Sequence, residues 1–146
     1  MFVSAFTAAA VLAAQDCPAV TPDMVEAQFD RFNAAWATQD PDAVTGLFTR
    51  EPVLLATVAN DPRTTPEGVR DYFVEFLKNR PVGRIETSTI EIDCLTASRV
   101  GTWTVTLTNA ETGAQTPVHA RYSFIYRWED GDWKIDHLHS SMMPQR

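Results

Sequence analysis

Apolar residues recur at Val25, Phe29, Phe32 and Trp36, at intervals of four, three and four, and so mark one buried stripe of a helix. The helix begins at Thr21-Pro22-Asp23: a capping hydroxyl, a proline suited to the first turn, and an acid beside the positive helix end. Asp40-Pro41 repeats the start signal for a short second helix that runs to Leu47. Thr65-Pro66-Glu67 opens a third, with its stripe at Val69, Tyr72, Phe73, Phe76 and Leu77 and its stop before Pro81. Between the second and third, Pro52 to Val58 predicts a strand. From Arg84 the period falls to two and β-branched residues multiply. Strands are predicted over Arg84–Asp93, Ser98–Thr108, Pro117–Trp128 and Trp133–Ser141, with turns at Glu111-Thr112-Gly113 and at Glu129–Asp132. Helices first and a meander last define an α+β fold: N-terminal helices packed on a curved, mostly antiparallel sheet. No internal repeat, low-complexity tract or interdomain linker interrupts the pattern.

The last hairpin decides which side chains share a face. Asp130-Gly131 is a strong two-residue loop signal. It pairs Trp128 with Trp133 and Tyr126 with Ile135, and continued alternation pairs Phe124 with His137, Tyr122 with His139 and Ala120 with Ser141. Most of these are apolar, so this face turns toward the helices, and His137, His139 and Ser141 are predicted to point into the open end of the hollow between sheet and helices. Arg127, Lys134 and Asp136 take the other face, toward solvent or a partner subunit. On the first strand Val53, Leu55 and Thr57 share a face that ends in a hydroxyl. Tyr72 brings a phenol from the third helix. Each residue has a structural alternative: a core tyrosine with a satisfied hydroxyl, a threonine ending a strand, histidines that tie sheet to helices. Together, inward polar groups at one end must find partners or line a wet cavity.

Charge narrows the function. The 146 residues carry 12 Lys+Arg against 19 Asp+Glu, a formal net charge of -7, which argues against a nucleic-acid backbone as partner. No basic run suits a membrane-surface helix. Met1 to Ala14 is uncharged and apolar, too short to span a bilayer but suited to a signal peptide cleaved near Ala13 to Gln15. That reading makes residues 1–15 a leader and 16–146 one periplasmic or secreted domain. No Lys or Arg precedes the run, so the alternatives are a true start that lies upstream or a buried N-terminal helix. In an exported chain Cys17 and Cys94 invite a disulfide tying the N-terminal arm to the sheet; in a cytosolic one they are two thiols.

The segments LLATVAN (Leu54–Asn60), RTTPEGVRDYFVEFL (Arg63–Leu77), ARYSFIYRW (Ala120–Trp128) and HLHSSMMP (His137–Pro144) together resemble the iota-class carbonic anhydrases. Those domains are similar to the association domain of calcium/calmodulin-dependent kinase II, within the nuclear transport factor 2-like superfamily. The likeness spans about Val25 to Pro144, and the terminal His/Ser/Ser/Pro run is its most specific part; Leu138 stands where many relatives carry a further histidine. The resemblance implies a cone-shaped fold and reversible hydration of carbon dioxide to bicarbonate without a metal. Carried over by motif, the catalytic set is Thr57, Tyr72, His139 and Ser141, with His137 and Ser140 as substrate-binding residues. It also implies a homodimer or a larger homo-oligomer.

In that reading a neutral His139 accepts the proton near neutrality, and Thr57, Tyr72 and Ser141 orient water and hold bicarbonate. Phe124 and Trp103 offer an aromatic wall to an apolar gas. Zinc is the alternative cofactor. His137 and His139 share a strand face, but His119 falls on the opposite one, so a three-histidine site fails unless the register slips, which leaves a carboxylate third ligand or adventitious zinc. Two further functions compete. One is an association module that oligomerises through its sheet and binds a small anion without chemistry. The other is an isomerase or cyclase, which needs an inward Asp or Glu that the pattern does not place.

Overall fold

In a computed structural model of the chain, residues 16–144 are described; the segment expected to be a signal peptide lies outside them. Helix α1 covers Pro22–Ala37, where Thr21 accepts from the Met24 amide, and buries the expected stripe of Val25, Phe29, Phe32 and Trp36. Helix α2 is the short Pro41–Thr45, capped by Asp40. Helix α3, Pro66–Phe76, runs into a single 3₁₀ turn at Leu77–Asn79 before Pro81. The strands are β1 Phe48–Leu55, β2 Val82–Ile92, β3 Thr96–Thr108, β4 Gln115–Glu129 and β5 Asp132–Met142. They form one sheet in the order β1-β5-β4-β3-β2, with β1 parallel to β5 and the other neighbours antiparallel.

The helices lie on the concave face over an aromatic core. Phe32, fully buried, meets Phe48, Phe73 and Phe124 edge-on at ring centroid distances of 6.5, 6.2 and 5.4 Å. Removing such a ring from water contributes about 1.5–3 kcal/mol, with edge-to-face geometry adding to it. Gly101 is imposed by close approach: a Cβ there would lie 2.0 Å from the Thr87 carbonyl oxygen, beside the irregularity between Ile85 and Thr87. Cys17 and Cys94 are disulfide-bonded, fastening the N-terminal arm to the β2–β3 turn.

Two expectations about register are corrected. The first strand is Phe48–Leu55 rather than Pro52–Val58. Pro52 sits inside it, tolerated because β1 is an edge strand. Leu54 is buried while Val53 and Leu55 pair with His137 and His139 on the outer face. Thr57 therefore lies beyond the strand, in a turn. A reciprocal backbone pair between Leu54 and Arg63 (2.8 and 2.9 Å) closes the loop that carries it.

The second correction falls on the last hairpin. Glu129 pairs with Asp132, Trp128 with Trp133 and Tyr126 with Ile135, as the Asp130-Gly131 loop predicts. A β-bulge follows: Ile125, not Phe124, pairs with His137, so Asp136 is an extra residue on β5. Beyond it Phe124 faces Leu138, Tyr122 faces Ser140 and Ala120 faces Met142. A slip of one residue exchanges the two faces of a strand, and here it puts Leu138 and Ser140 inside and His137, His139 and Ser141 outside. The reason is energetic. Burying Leu138, 3% exposed, contributes about 1.5–3 kcal/mol, whereas two imidazoles in the same places would need partners. On the outer face Asp136 accepts from Arg127 Nε and Nη2 (3.0 and 2.9 Å) and from Thr49 Oγ1 (3.3 Å), which occupies the bulged carboxylate.

Candidate functional site

Between the helices and the sheet lies a cavity lined mostly by apolar side chains, among them Trp36, Phe73, Phe76, Trp103 and Leu138. It leaves about 30 Å³ for the centre of a water-sized sphere, where one water needs about 10–15 Å³. That is room for a molecule of a few heavy atoms. Three hydroxyl-bearing residues line it: Thr57, Tyr72 and Ser140.

Ser140 is the centre of the polar end. It is 6% exposed, and its Oγ accepts from the Thr57 hydroxyl and, at 3.1 Å, from the indole N–H of Trp103. Trp103 is itself 2% exposed, so this bond satisfies a donor that has no access to water. Tyr72 comes from α3, its ring stacked on Phe76 at 5.3 Å. Burial pushes its phenol above its ordinary pKa, so it stays protonated and able to donate. No described residue hydrogen-bonds to it.

Of the six residues predicted for the site, the fold brings three together: Thr57, Tyr72 and Ser140. Ser140, expected in a secondary role, is the serine that enters the cavity. His139 is exposed on the outer face, with His137 and Ser141 half-buried beside it, so none of the three reaches the cavity, for the reason of register given above. Trp103 was expected only as apolar wall, and its N–H proves to be part of the polar end. The missed signal was present in the chain. Apolar residues at Trp133 and Ile135 are followed by one at Leu138, an interval of three that breaks the alternation and marks the bulge.

His119, predicted to lie off the site, is on the outer face, where its Nδ1 meets Thr104 Oγ1 at 2.9 Å. Among the described residues no three of His, Cys, Asp or Glu converge as a ligand set for one ion. The lining residues include no carboxylate and no imidazole.

Helices on the concave face of a curved five-stranded mixed sheet, with a cavity between the two layers, define a nuclear transport factor 2-like cone. The SnoaL-like domain family matches residues 29–135, and the chain belongs to it. A structure from Xanthomonas campestris, described as a calcium/calmodulin-dependent protein kinase II association domain, is 39% identical. The match covers 93% of this chain and 100% of that one, with a TM-score of 0.82. Two more distant structures share the fold. One is a protein from Streptomyces avermitilis described as a dehydratase of the nuclear transport factor 2-like family (12% identity, 84% and 97% coverage, TM-score 0.74). The other is a ketosteroid isomerase-like protein from Erwinia carotovora atroseptica (18%, 84% and 96%, 0.68). No curated protein matches the chain at a significant level.

Proposed function

We propose that the cone cavity binds carbon dioxide and bicarbonate and interconverts them through hydroxyl donors, with Tyr72 and Ser140 touching the substrate and Thr57 orienting Ser140. The observation that carries this reading is the pairing of an apolar hollow sized for a few heavy atoms with a hydroxyl cluster at one end. The apolar wall suits the gas. In hydration the oxygen of a bound water forms a bond to carbon while negative charge grows on the two original oxygens of carbon dioxide. Tyr72 and Ser140 donate to those oxygens. The water's proton leaves to solvent or buffer at the mouth, beside the turn that carries Thr57, because no residue lining the cavity titrates near neutrality.

Oxygen-18 exchange by the protein from Asp16 onward tests this. Exchange is expected to rise with buffer concentration and to fall by up to about a hundredfold in Ser140→Ala and in Tyr72→Phe, the scale of losing one charge-stabilising donor. His139→Ala and Ser141→Ala keep their rate. Exchange no faster than buffer alone sinks the proposal. The Cys17–Cys94 bond suits an oxidising compartment and supports a periplasmic or secreted site of action.

A second reading is favoured by the 39% identity to a protein described as an association domain. In it the outer sheet face, where half-buried Val53, Leu55 and Ile125 surround His137, joins two or more copies, and the cavity holds a small anion without chemistry. Light scattering of the same sample reports the assembly. An oligomer that binds bicarbonate but shows no exchange selects this reading.

A further inference from the structure

A serine oxygen offers two acceptor lone pairs and one proton. Both lone pairs of Ser140 are taken, one by the Thr57 hydroxyl and one by the Trp103 indole N–H. Its own proton has no acceptor among the described residues, and the side chain lines the cavity. The Tyr72 phenol, which lines the cavity without a described partner, is free to donate as well as to accept. Of the three hydroxyls that line the hollow, Ser140 alone is thereby left with nothing but a proton to offer.

We infer that Trp103 and Thr57 are specificity-determining positioning residues: by saturating Ser140 they leave it able only to donate, so that its end of the cavity favours small oxyanions and carbonyl oxygens over ligands that bring only N–H or O–H donors. The inference rests on the cavity being the binding site of the proposed reaction, but it concerns recognition rather than turnover. Trp103 itself does not touch the ligand; it acts through Ser140. The indole is suited to this because it donates and cannot accept. A hydroxyl in its place would let Ser140 rotate and present a lone pair.

The test uses the ¹⁵N-labelled protein from Asp16 onward, titrated at constant ionic strength with sodium bicarbonate, with sodium nitrate and, as a donor-only ligand, with methylammonium. The Trp103 indole N–H resonance is expected to move saturably with both anions and to stay still with methylammonium. Thr57→Val keeps the shape and frees one lone pair; it should weaken both anions by about tenfold, the scale of one hydrogen bond, and allow methylammonium to shift the indole signal. Trp103→Phe should do the same, read at the Ser140 amide. Thr57→Ser should restore the wild-type pattern, which a merely structural threonine would not require. Anions that leave the indole unmoved, or a Thr57→Val protein that keeps anion affinity and still ignores methylammonium, overturn the inference. If the anions bind as expected and oxygen-18 exchange is absent, the hydration reading fails and the selectivity stands.

Discussion

Ser140 and Ser141 are adjacent and chemically identical, and the bulge at Asp136 places them on opposite faces, so their alanine variants read the register directly. In Ser140→Ala the indole N–H of Trp103 loses its partner at a site with 2% exposure. An unsatisfied buried donor costs about 1–3 kcal/mol. Thr57 is half-buried in a turn and can rotate its hydroxyl toward solvent, so its loss adds little. Removing a hydroxyl from a buried position returns part of the cost, which leaves a net destabilisation of about 1–2 kcal/mol. At about 2–4 °C per kcal/mol for a chain of this size, the midpoint falls by about 2–8 °C. Ser141→Ala acts at a half-buried position of the outer face and should stay within about 0.5 kcal/mol. Thermal unfolding followed by circular dichroism, with tryptophan fluorescence on the same samples, measures both. Ser141→Ala as the more damaging change, or a Ser140→Ala midpoint equal to wild type, refutes the bulged register and with it the placement of Ser140.

Replacing Cys17 and Cys94 by serine opens a loop with a sequence separation of 77 and should lower stability by about 2–4 kcal/mol; an unchanged urea midpoint counts against the bond. Gly101→Ala drives a methyl group into the Thr87 carbonyl and should cost more than the usual overpacking of about 1–3 kcal/mol, seen as loss of soluble folded protein or a collapsed midpoint. Asp132 is held below the ordinary carboxylate pKa by the hydrogen bond from Arg31, and the attraction of Arg31 and Lys134 adds to it. A depressed folded pKa gives stability that is present above the unfolded value, about 3.9, and is lost as pH falls through the folded one. Asp132→Asn should therefore remove a small part of the acid sensitivity below about pH 4, under about 1 kcal/mol because the pair is exposed. A larger effect at pH 7 than that range allows goes against this account.

Most of the fold was legible because its signals are local. The stripe from Val25 to Trp36, the Thr-Pro and Asp-Pro starts and the Asp130-Gly131 corner each act within a few residues, and each reappears in α1, α2, α3 and the β4–β5 loop. The candidate site was legible only in part. Tyr72 was found through helical periodicity. Thr57 was found by an alternation that does not reach it, since β1 ends at Leu55 and a turn carries the threonine into the cavity. Unbroken alternation along β5 turns His139 and Ser141 inward and Ser140 outward, because it takes no account of the extra residue at Asp136.

Sequence alone thus determined the kinds of elements, their order, the apolar stripe of each helix and the presence of hydroxyls near the chain's end, all consequences of short-range sterics and periodicity. Tertiary structure decided which hydroxyl faces inward, because that depends on whether Leu138 or His137 and His139 are removed from water. It also decided that Trp103 is a donor to the site, since its contact with Ser140 joins β3 to β5 across the intervening β4. A side chain's face follows from the summed burial of a whole strand against its neighbours, and no local rule contains that sum.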